Sequence, residues 1–294
     1  MERRGGEEED AEVEGAEVCV LGVRVAVRTD AALLECGKVW DANWALAEVL
    51  EQRVLRAAAV RQRCVLELGA GTGVMSIALA ERGCLVLCTD QTHVLPLIRA
   101  NVARNGYSPD AAQRTVGDEL AASSSEPLLF VKHGADSENK KVVIGALDWN
   151  ERSYGALDAL RTALHGTANA IPFDAVVCGE TLYWPGLSIL DPDPLDGLRE
   201  LLLFLLCTGR ARSAILSFVS RNPSREARFF NSLHELGSDR LAEVQVNYGD
   251  AAHVHVLAHQ PAGAKLHESA LIPQDCVIVA EVGIESSSAG GASS

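Results

Sequence analysis

The chain has 294 residues, of which 48% are hydrophobic and 22% charged, and its formal net charge is −14. That length is enough for one large domain, and the acidic balance argues against nonspecific nucleic-acid binding and favours a basic protein partner. The longest apolar run, residues 198–207, contains charges and is too short to span a bilayer, so we expect no membrane span. No charged n-region with an apolar h-region follows Met1, so we expect no secretory signal, and the eight cysteines have no metal-ligand spacing. This favours reduced thiols in a cytoplasmic protein, with the nucleus as the alternative.

The predicted elements begin after an acidic segment, residues 1–16, which we expect to be disordered. Residues 18–29 alternate apolar and polar side chains and predict a hairpin, and residues 39–55 repeat apolar side chains at helical spacing. Strands then alternate with helices. The strand candidates are residues 64–68, 84–89, 142–147, 173–179 and 213–220. The helix candidates are residues 74–82, 92–105 and 191–206.

Strands separated by helical crossovers predict a parallel sheet with helices on both faces. Residues 241–248 and 253–259 alternate and predict an antiparallel hairpin that finishes the sheet. We therefore predict an α/β fold, a Rossmann-like doubly wound sheet of seven strands, mostly parallel with an antiparallel last strand, preceded by an N-terminal β-hairpin and helix. The domain is expected to span residues 17–283, with a loop insertion at about residues 118–141 and a disordered tail at residues 284–294.

The stretch VLELGAGTGVM, residues 65–75, places glycines at every second position where a strand ends and a helix begins. Glycines there allow a tight turn and a close approach to a ligand, next to the unpaired N–H groups of the helix. The dinucleotide pattern G-x-G-x-x-G is not met, because Val74 occupies its last position. An acidic residue two positions before the first glycine is typical of class I methyltransferases. A tight turn in an unrelated α/β protein remains the alternative.

Asp90 stands at the end of the second predicted strand, nineteen residues after Gly71. A carboxylate at this place can accept hydrogen bonds from both ribose hydroxyls of a nucleoside. The alternative is that Asp90 only caps the following helix. Together with the glycine turn, Asp90 favours a cofactor that contains adenosine.

Several further segments share the pattern of one family. They read VWDANWALAEVL (39–50), TDQTHVLPLIRANVARN (89–105), LDW (147–149), FDAVVCGETLYWP (173–185) and SRNPSREARFF (220–230). Together they resemble the seven-β-strand protein methyltransferases of the small methyltransferase-like family, the non-SET lysine methyltransferases, over roughly residues 17–260. The resemblance implies S-adenosylmethionine as cofactor and methylation of lysine, or in one branch histidine, on folded cytosolic proteins.

The resemblance also implies which residues contact the cofactor. They are Trp40, Glu67, Gly69, Ala70, Gly71, Asp90, Trp149 and Gly179. Trp40 is expected over the pocket, Glu67 at the methionine amino group, and Trp149 near adenine, where an indole gives a large contact area. Without the resemblance, Trp40 and Trp149 could equally be core aromatics, and Trp44 is expected in the core.

The family's catalytic motif is Asp-x-x-Tyr after the fourth strand, and here it reads Glu180-Thr181-Leu182-Tyr183. The resemblance implies that Glu180 orients the incoming amine and that Tyr183 forms a wall of its channel. The longer acidic side chain is similar to the histidine-modifying branch, whereas ELGAGTG and SRNP are closer to the lysine-modifying branches. Without the resemblance, Glu180 could be a surface carboxylate at a strand end.

We therefore predict an S-adenosylmethionine-dependent protein N-methyltransferase that acts on lysine in a cytosolic protein, such as a translation factor or chaperone by analogy. The alternatives are a histidine methyltransferase, a small-molecule methyltransferase and a noncatalytic cofactor-binding interaction module. The expected partner is a protein substrate, with no nucleic acid, no membrane and no metal, and the chain is expected to be a monomer.

Overall fold

The computed structural model describes residues 15–56, 62–110, 126–133, 140–150, 155–165, 171–182, 193–236, 241–249, 254–256 and 277–284. A separate hairpin is formed by β1 (Ala16–Val20) and β2 (Val23–Val27). The main sheet consists of β3 (Cys64–Leu68), β4 (Leu85–Asp90), β5 (Ser108–Pro109), β6 (Leu128–Lys132), β7 (Lys140–Ala146), β8 (Ala175–Gly179), β9 (Ser213–Val219), β10 (Leu241–Gly249), β11 (Val254–Val256) and β12 (Val277–Ile284). The helices are α1 (Ala42–Leu50), α2 (Val74–Glu81), α3 (Leu95–Arg104), α4 (Gly155–His165), α5 (Pro194–Cys207) and α6 (Pro223–Leu236).

The strand order of the main sheet is β11-β10-β12-β9-β8-β3-β4-β7-β6-β5. The five central strands, β9 to β7 in this order, are parallel, and β12 runs antiparallel between β9 and β10. The chain proceeds outward from β3 in both directions, first through β4 and later through β8. The loops that follow β3 and β8 therefore diverge, and this divergence opens a crevice at the carboxyl ends of the strands.

The predicted α/β fold, the N-terminal hairpin and the antiparallel late strand are confirmed. The predicted number of seven strands is wrong: among the described residues the main sheet has eight strands of five or more residues, besides the short β5 and β11. Two of these strands were not predicted. One is β6, which pairs antiparallel with β7 in a segment expected to be a loop, and the other is β12, which lies between β9 and β10, whereas the predicted strand at residues 253–259 is only the short β11. The expected tails were residues 1–16 and 284–294. Residues 1–14 and 285–294 lie outside the described residues, whereas Ala16 begins β1 and Ile284 ends β12.

Each face of the sheet is covered by helices over its own apolar cluster. Side chains of α1, α2, α3 and the hairpin form one cluster, which includes Leu46, Ile77, Ile98 and Val25. Side chains of α4, α5 and α6 form the other, which includes Leu160, Leu202 and Phe230. Because the parallel strands are buried on both faces, they are apolar almost throughout. The polar residues at their carboxyl ends are exceptions to this pattern, and they lie next to the crevice.

Trp44 corrects one expectation about α1. It was expected in the core, but it is 42% exposed, because α1 turns Leu46 and Leu50 toward the sheet instead. Within the described ranges, no helix is both long enough and apolar enough to cross a membrane.

Candidate active site

The glycine turn after β3 requires glycine for two reasons. Gly69 and Gly71 have φ of 67° and 56°, a left-handed conformation that other residues rarely adopt. A Cβ atom on Gly71 would lie 2.9 Å from the carbonyl oxygen of Cys36, and one on Gly69 would lie 3.1 Å from the Trp149 ring. The turn therefore brings the backbone close to two walls of the crevice.

Asp90 is the last residue of β4 and holds this turn in place. Its Oδ2 accepts a hydrogen bond from the Gly71 amide at 2.7 Å, and its Oδ1 accepts one from the Gln91 amide at 2.7 Å. Burial raises the pKa of Asp90 above its usual value, although the two amide hydrogen bonds oppose the shift. Asp90 is therefore more than a helix cap, because its Oδ2 is bonded to the Gly71 amide of the glycine turn. Each oxygen keeps a lone pair for a further donor.

Glu67 is a charged residue within an otherwise apolar strand. It lies on β3 and is only 3% exposed, and its Oε2 accepts a hydrogen bond from the Ser76 hydroxyl on α2. Burial raises the pKa of Glu67 to about 7, the Ser76 hydrogen bond opposes this shift, and the nearby charge of Asp90 adds to it. A carboxylate that is costly to ionise in this position favours a cationic ligand.

Glu180 begins the loop after β8 in a strained backbone conformation. Its φ is 55°, which is uncommon for any residue other than glycine, and its amide donates to the Ser217 carbonyl at 2.6 Å. Its carboxylate accepts hydrogen bonds from the Val219 amide, at 3.1 Å and 3.3 Å, and from the Arg221 guanidinium. Because it is buried and multiply bonded, Glu180 is not a surface carboxylate.

Two tryptophans stand at the walls of the crevice. Trp40 is half-buried, donates from Nε1 to the Glu35 carbonyl at 3.0 Å, and has the Arg221 guanidinium 5.4 Å from its ring centroid. Trp149 is half-buried and is held by α5, since a Cβ atom on Gly197 would lie 2.5 Å from the Trp149 carbonyl oxygen. Both rings thus stay partly accessible from the crevice and are not fully buried core aromatics.

The crevice is a pocket of about 350 Å³, within the range of small-molecule sites. It brings together nine of the ten residues predicted from the sequence: Trp40, Glu67, Gly69, Ala70, Gly71, Asp90, Trp149, Gly179 and Glu180. The tenth, Tyr183, lies outside the described residues. The roles assigned to these residues stay predictions.

The sequence analysis missed two residues of this region. Asn43 on α1 lines the pocket, and its Oδ1 would lie 2.7 Å from a Cβ atom on Gly179, so a larger residue there would displace the Asn43 side chain. No local signal marks Asn43. Arg221 had a signal, because Asn222-Pro223 is a typical helix start and places Arg221 immediately before α6.

Known proteins that are similar to this chain indicate the class of protein that it resembles. Residues 25–121 match a family model described as lysine methyltransferase. The protein-lysine N-methyltransferase EEF2KMT of Bos taurus is 27% identical over 220 residues, which cover 74% of this chain and 57% of that protein. The EEF1A lysine methyltransferase 3 of Xenopus tropicalis is 34% identical over 95 residues, which cover 32% of this chain and 41% of that protein. The chain spans about half the length of the curated relatives it matches.

Among solved structures, the T. thermophilus 16S rRNA N2 G1207 methyltransferase RsmC, in complex with AdoMet and guanosine, aligns with 92% of this chain and 50% of that chain. The TM-score is 0.45 and the identity 16%. The fold described above is the Rossmann-like α/β fold expected of a class I methyltransferase. The family model and the two relatives confirm the resemblance to the protein-lysine methyltransferases.

Proposed function

We propose that this chain is an S-adenosylmethionine-dependent protein-lysine N-methyltransferase. The observation that carries the proposal is the position of Glu67, Asp90 and Glu180 in one pocket around the glycine turn, at the point where the strand order reverses. Ligands of open α/β sheets bind at this point. The relatives named above, whose names describe lysine methylation, support the choice of reaction.

The residues present fit this cofactor. Burial raises the pKa of Glu67 and of Asp90, and a cation that enters the pocket relieves the cost of ionising them. Asp90 would accept the ribose hydroxyls on its remaining lone pairs, and Glu67 would hold the methionine amino group. Trp149 would lie against adenine and Trp40 would cover the pocket, with the backbone of Gly69, Ala70, Gly71 and Gly179 as its edge.

When bound, S-adenosylmethionine supplies an activated methyl group on a positively charged sulfur. The protein's own contribution is then to position a neutral amine and to keep water away. A lysine must first lose its proton, since its reference pKa is about 10.4. Glu180 would accept a hydrogen bond from this amine and orient its lone pair, and Tyr183 would form a wall of the amine channel.

The finer parts of the proposal rest on analogy. A translation factor is the proposed substrate class, because the relatives' names refer to such proteins; a chaperone is the second candidate. Residues 17–283 are proposed to form one domain that acts as a monomer. We propose a cytoplasmic location, with the nucleus as the alternative, because all seven described cysteines are free thiols, as expected in a reducing compartment.

The test is transfer of labelled methyl from S-adenosylmethionine into an undermethylated lysate, followed by amino-acid analysis of the labelled band. We expect methyl-lysine with the wild-type chain. Glu180→Gln should lower the rate about 100-fold or more, because the amide loses the charge that orients the amine. Cofactor affinity, measured by calorimetry, should change little, since Glu180 is not among the residues proposed to hold the cofactor.

Glu48→Gln is the matched control, because Glu48 is an exposed carboxylate on α1 that does not line the pocket. It should leave methyl transfer unchanged. Methyl-histidine in the band would contradict the lysine assignment. Equal loss of transfer and of cofactor affinity in Glu180→Gln would contradict the role proposed for Glu180.

A further inference from the structure

Arg221 connects the acidic motif with the tryptophan at the pocket wall. It follows β9, and its Nη1 bonds to Glu180 Oε1, while its guanidinium carbon lies 5.4 Å from the Trp40 ring centroid. The side chain of Glu180 is 2% exposed and that of Arg221 is 31% exposed. The guanidinium therefore contacts the buried carboxylate from the solvent side and lies near an aromatic ring, as in a cation–π pair.

The backbone of Arg221 is itself fixed by the start of α6. The Oε1 atom of Glu226 accepts hydrogen bonds from the amides of Arg221 at 2.9 Å and Asn222 at 3.0 Å. Its Oε2 accepts one from the Ser220 hydroxyl at 2.5 Å. Since Glu226 is only 3% exposed, these bonds are shielded from water and hold the position from which Arg221 reaches Glu180.

Arg221 opposes the effect of burial on the ionisation of Glu180. Burial raises the pKa of Glu180, and the hydrogen bond and charge of Arg221 act against that rise; the Val219 amide also lowers it, and the charge of Glu226 raises it. Other charged groups that line the same pocket are Glu35, Lys38, Glu67, Asp90, His93 and Asp148. Lys38 lies on the Trp40 ring and pairs with Glu35 at 3.5 Å.

We propose that Arg221 is a positioning residue that keeps the Glu180 carboxylate ionised and turned into the pocket, where it can accept a hydrogen bond from the methyl-accepting amine. The role in methyl transfer rests on the proposed function, whereas the contacts of Arg221 with Glu180 and Trp40 do not depend on that function. Because the guanidinium balances the carboxylate, the pair carries no net charge. Glu180 can then orient an incoming amine without strongly stabilising its protonated form. This matters because an ammonium group has no lone pair with which to react.

The deciding experiment is a titration of the Glu180 side-chain carboxyl by ¹³C NMR in the full chain labelled at glutamate, with Glu180→Gln to assign the signal. In Arg221→Gln the apparent pKa of Glu180 should be higher than in wild type by about one unit or more. Arg221→Lys keeps the charge and should restore most of the difference. Arg225→Gln is the control, because Arg225 lies four residues along and pairs with Asp193 instead of Glu180.

A second readout separates positioning from folding. The pH at which methyl transfer into the lysate band rises should move upward in Arg221→Gln and return toward wild type in Arg221→Lys. If Arg221 made only a structural contact, its loss would lower the rate at every pH and would leave the pH at which transfer rises unchanged. That result, together with identical Glu180 titrations in wild type and Arg221→Gln, would overturn the inference. If the wild-type chain transfers no methyl, the proposed function fails, and the NMR titration alone then decides whether Arg221 controls Glu180.

Discussion

At Glu180 a non-glycine residue adopts a left-handed backbone conformation at the rim of the pocket. Such strain costs about 1–3 kcal/mol and persists only where the surroundings fix it. Here the Glu180 amide is bonded to the Ser217 carbonyl, and its carboxylate is bonded to Val219 and Arg221. The strain and the burial of an acidic group are thus concentrated on the residue that the sequence motif singled out.

A prediction at the same scale concerns Gly71. In Gly71→Ala the new Cβ would meet the Cys36 carbonyl oxygen at 2.9 Å in addition to the unfavourable φ. In Gly83→Ala the φ of 85° is equally unfavourable, but no atom lies within 4 Å. We expect Gly83→Ala to lower the free energy of unfolding by about 1–2 kcal/mol and Gly71→Ala to lower it further and to weaken cofactor binding. Urea denaturation and calorimetry measure both, and equal losses in the two variants would contradict the close approach.

The N-terminal hairpin is attached to the domain by Asn101 of α3 and by Asn105, which directly follows that helix. Asn101 accepts from the Arg28 amide at 2.8 Å and donates to the Arg28 carbonyl at 3.0 Å and the Thr72 carbonyl at 2.9 Å. Asn105 pairs in the same way with Ala26, at 3.0 Å and 2.7 Å. The side-chain amides therefore satisfy backbone groups at the edge of β2 and connect it to the glycine turn at Thr72.

Asn101→Ala should be costly, because it leaves three backbone groups without their partner: the Thr72 carbonyl in a buried bond, and the amide and carbonyl of Arg28 in partly buried ones. We expect a loss of more than about 2 kcal/mol in the free energy of unfolding, and faster hydrogen exchange at the Arg28 amide. Asn105→Ala should cost less, since Asn105 is partly exposed and water can replace its bonds. Urea denaturation and amide exchange are the measurements, and a larger loss in Asn105→Ala would show that burial does not set the order.

On the scale of the whole molecule, three buried carboxyl groups of the pocket, those of Glu67, Asp90 and Glu180, stand out from an otherwise apolar sheet core. A carboxyl whose pKa is raised on folding contributes stability below its unfolded pKa, and this contribution is lost as the pH rises through the folded value. For Glu67 the pKa rises from 4.5 to about 7, so the free energy of unfolding should fall between these values. The same sign holds for Asp90 and Glu180.

Glu67→Gln tests this pH dependence. The amide can still accept the Ser76 hydrogen bond but cannot ionise, so this variant should be more stable than wild type above about pH 7, and the difference should shrink toward about pH 5. Urea denaturation of both proteins across this range is the measurement. A stability difference that does not change with pH would mean that Glu67 ionises as easily in the folded chain as in the unfolded one.

Local patterns carried much of the fold and of the site. The hairpin, the central strands, the glycine turn and Asp90 were predictable, because apolar periodicity and turn chemistry depend on neighbouring residues. Strands β6 and β12 were not predicted, because β6 follows a polar segment and both are defined by their pairing, β6 with β7 and β12 with β9 and β10. Helix α6 was missed although Asn222 and Pro223 mark its start, since the segment was read only for its resemblance to a family.

By itself, the amino-acid sequence determined the α/β class, the turn at Gly69 to Gly73, and the acidic residues at or next to the carboxyl ends of β3, β4 and β8, because each follows from a pattern within a few residues. Only the tertiary structure decided the number of strands, the exposure of Trp44, and the contacts of Arg221 with Glu180 and Trp40. Those features join segments far apart in the chain. They depend on how the sheet orders its strands, and no local pattern encodes that order.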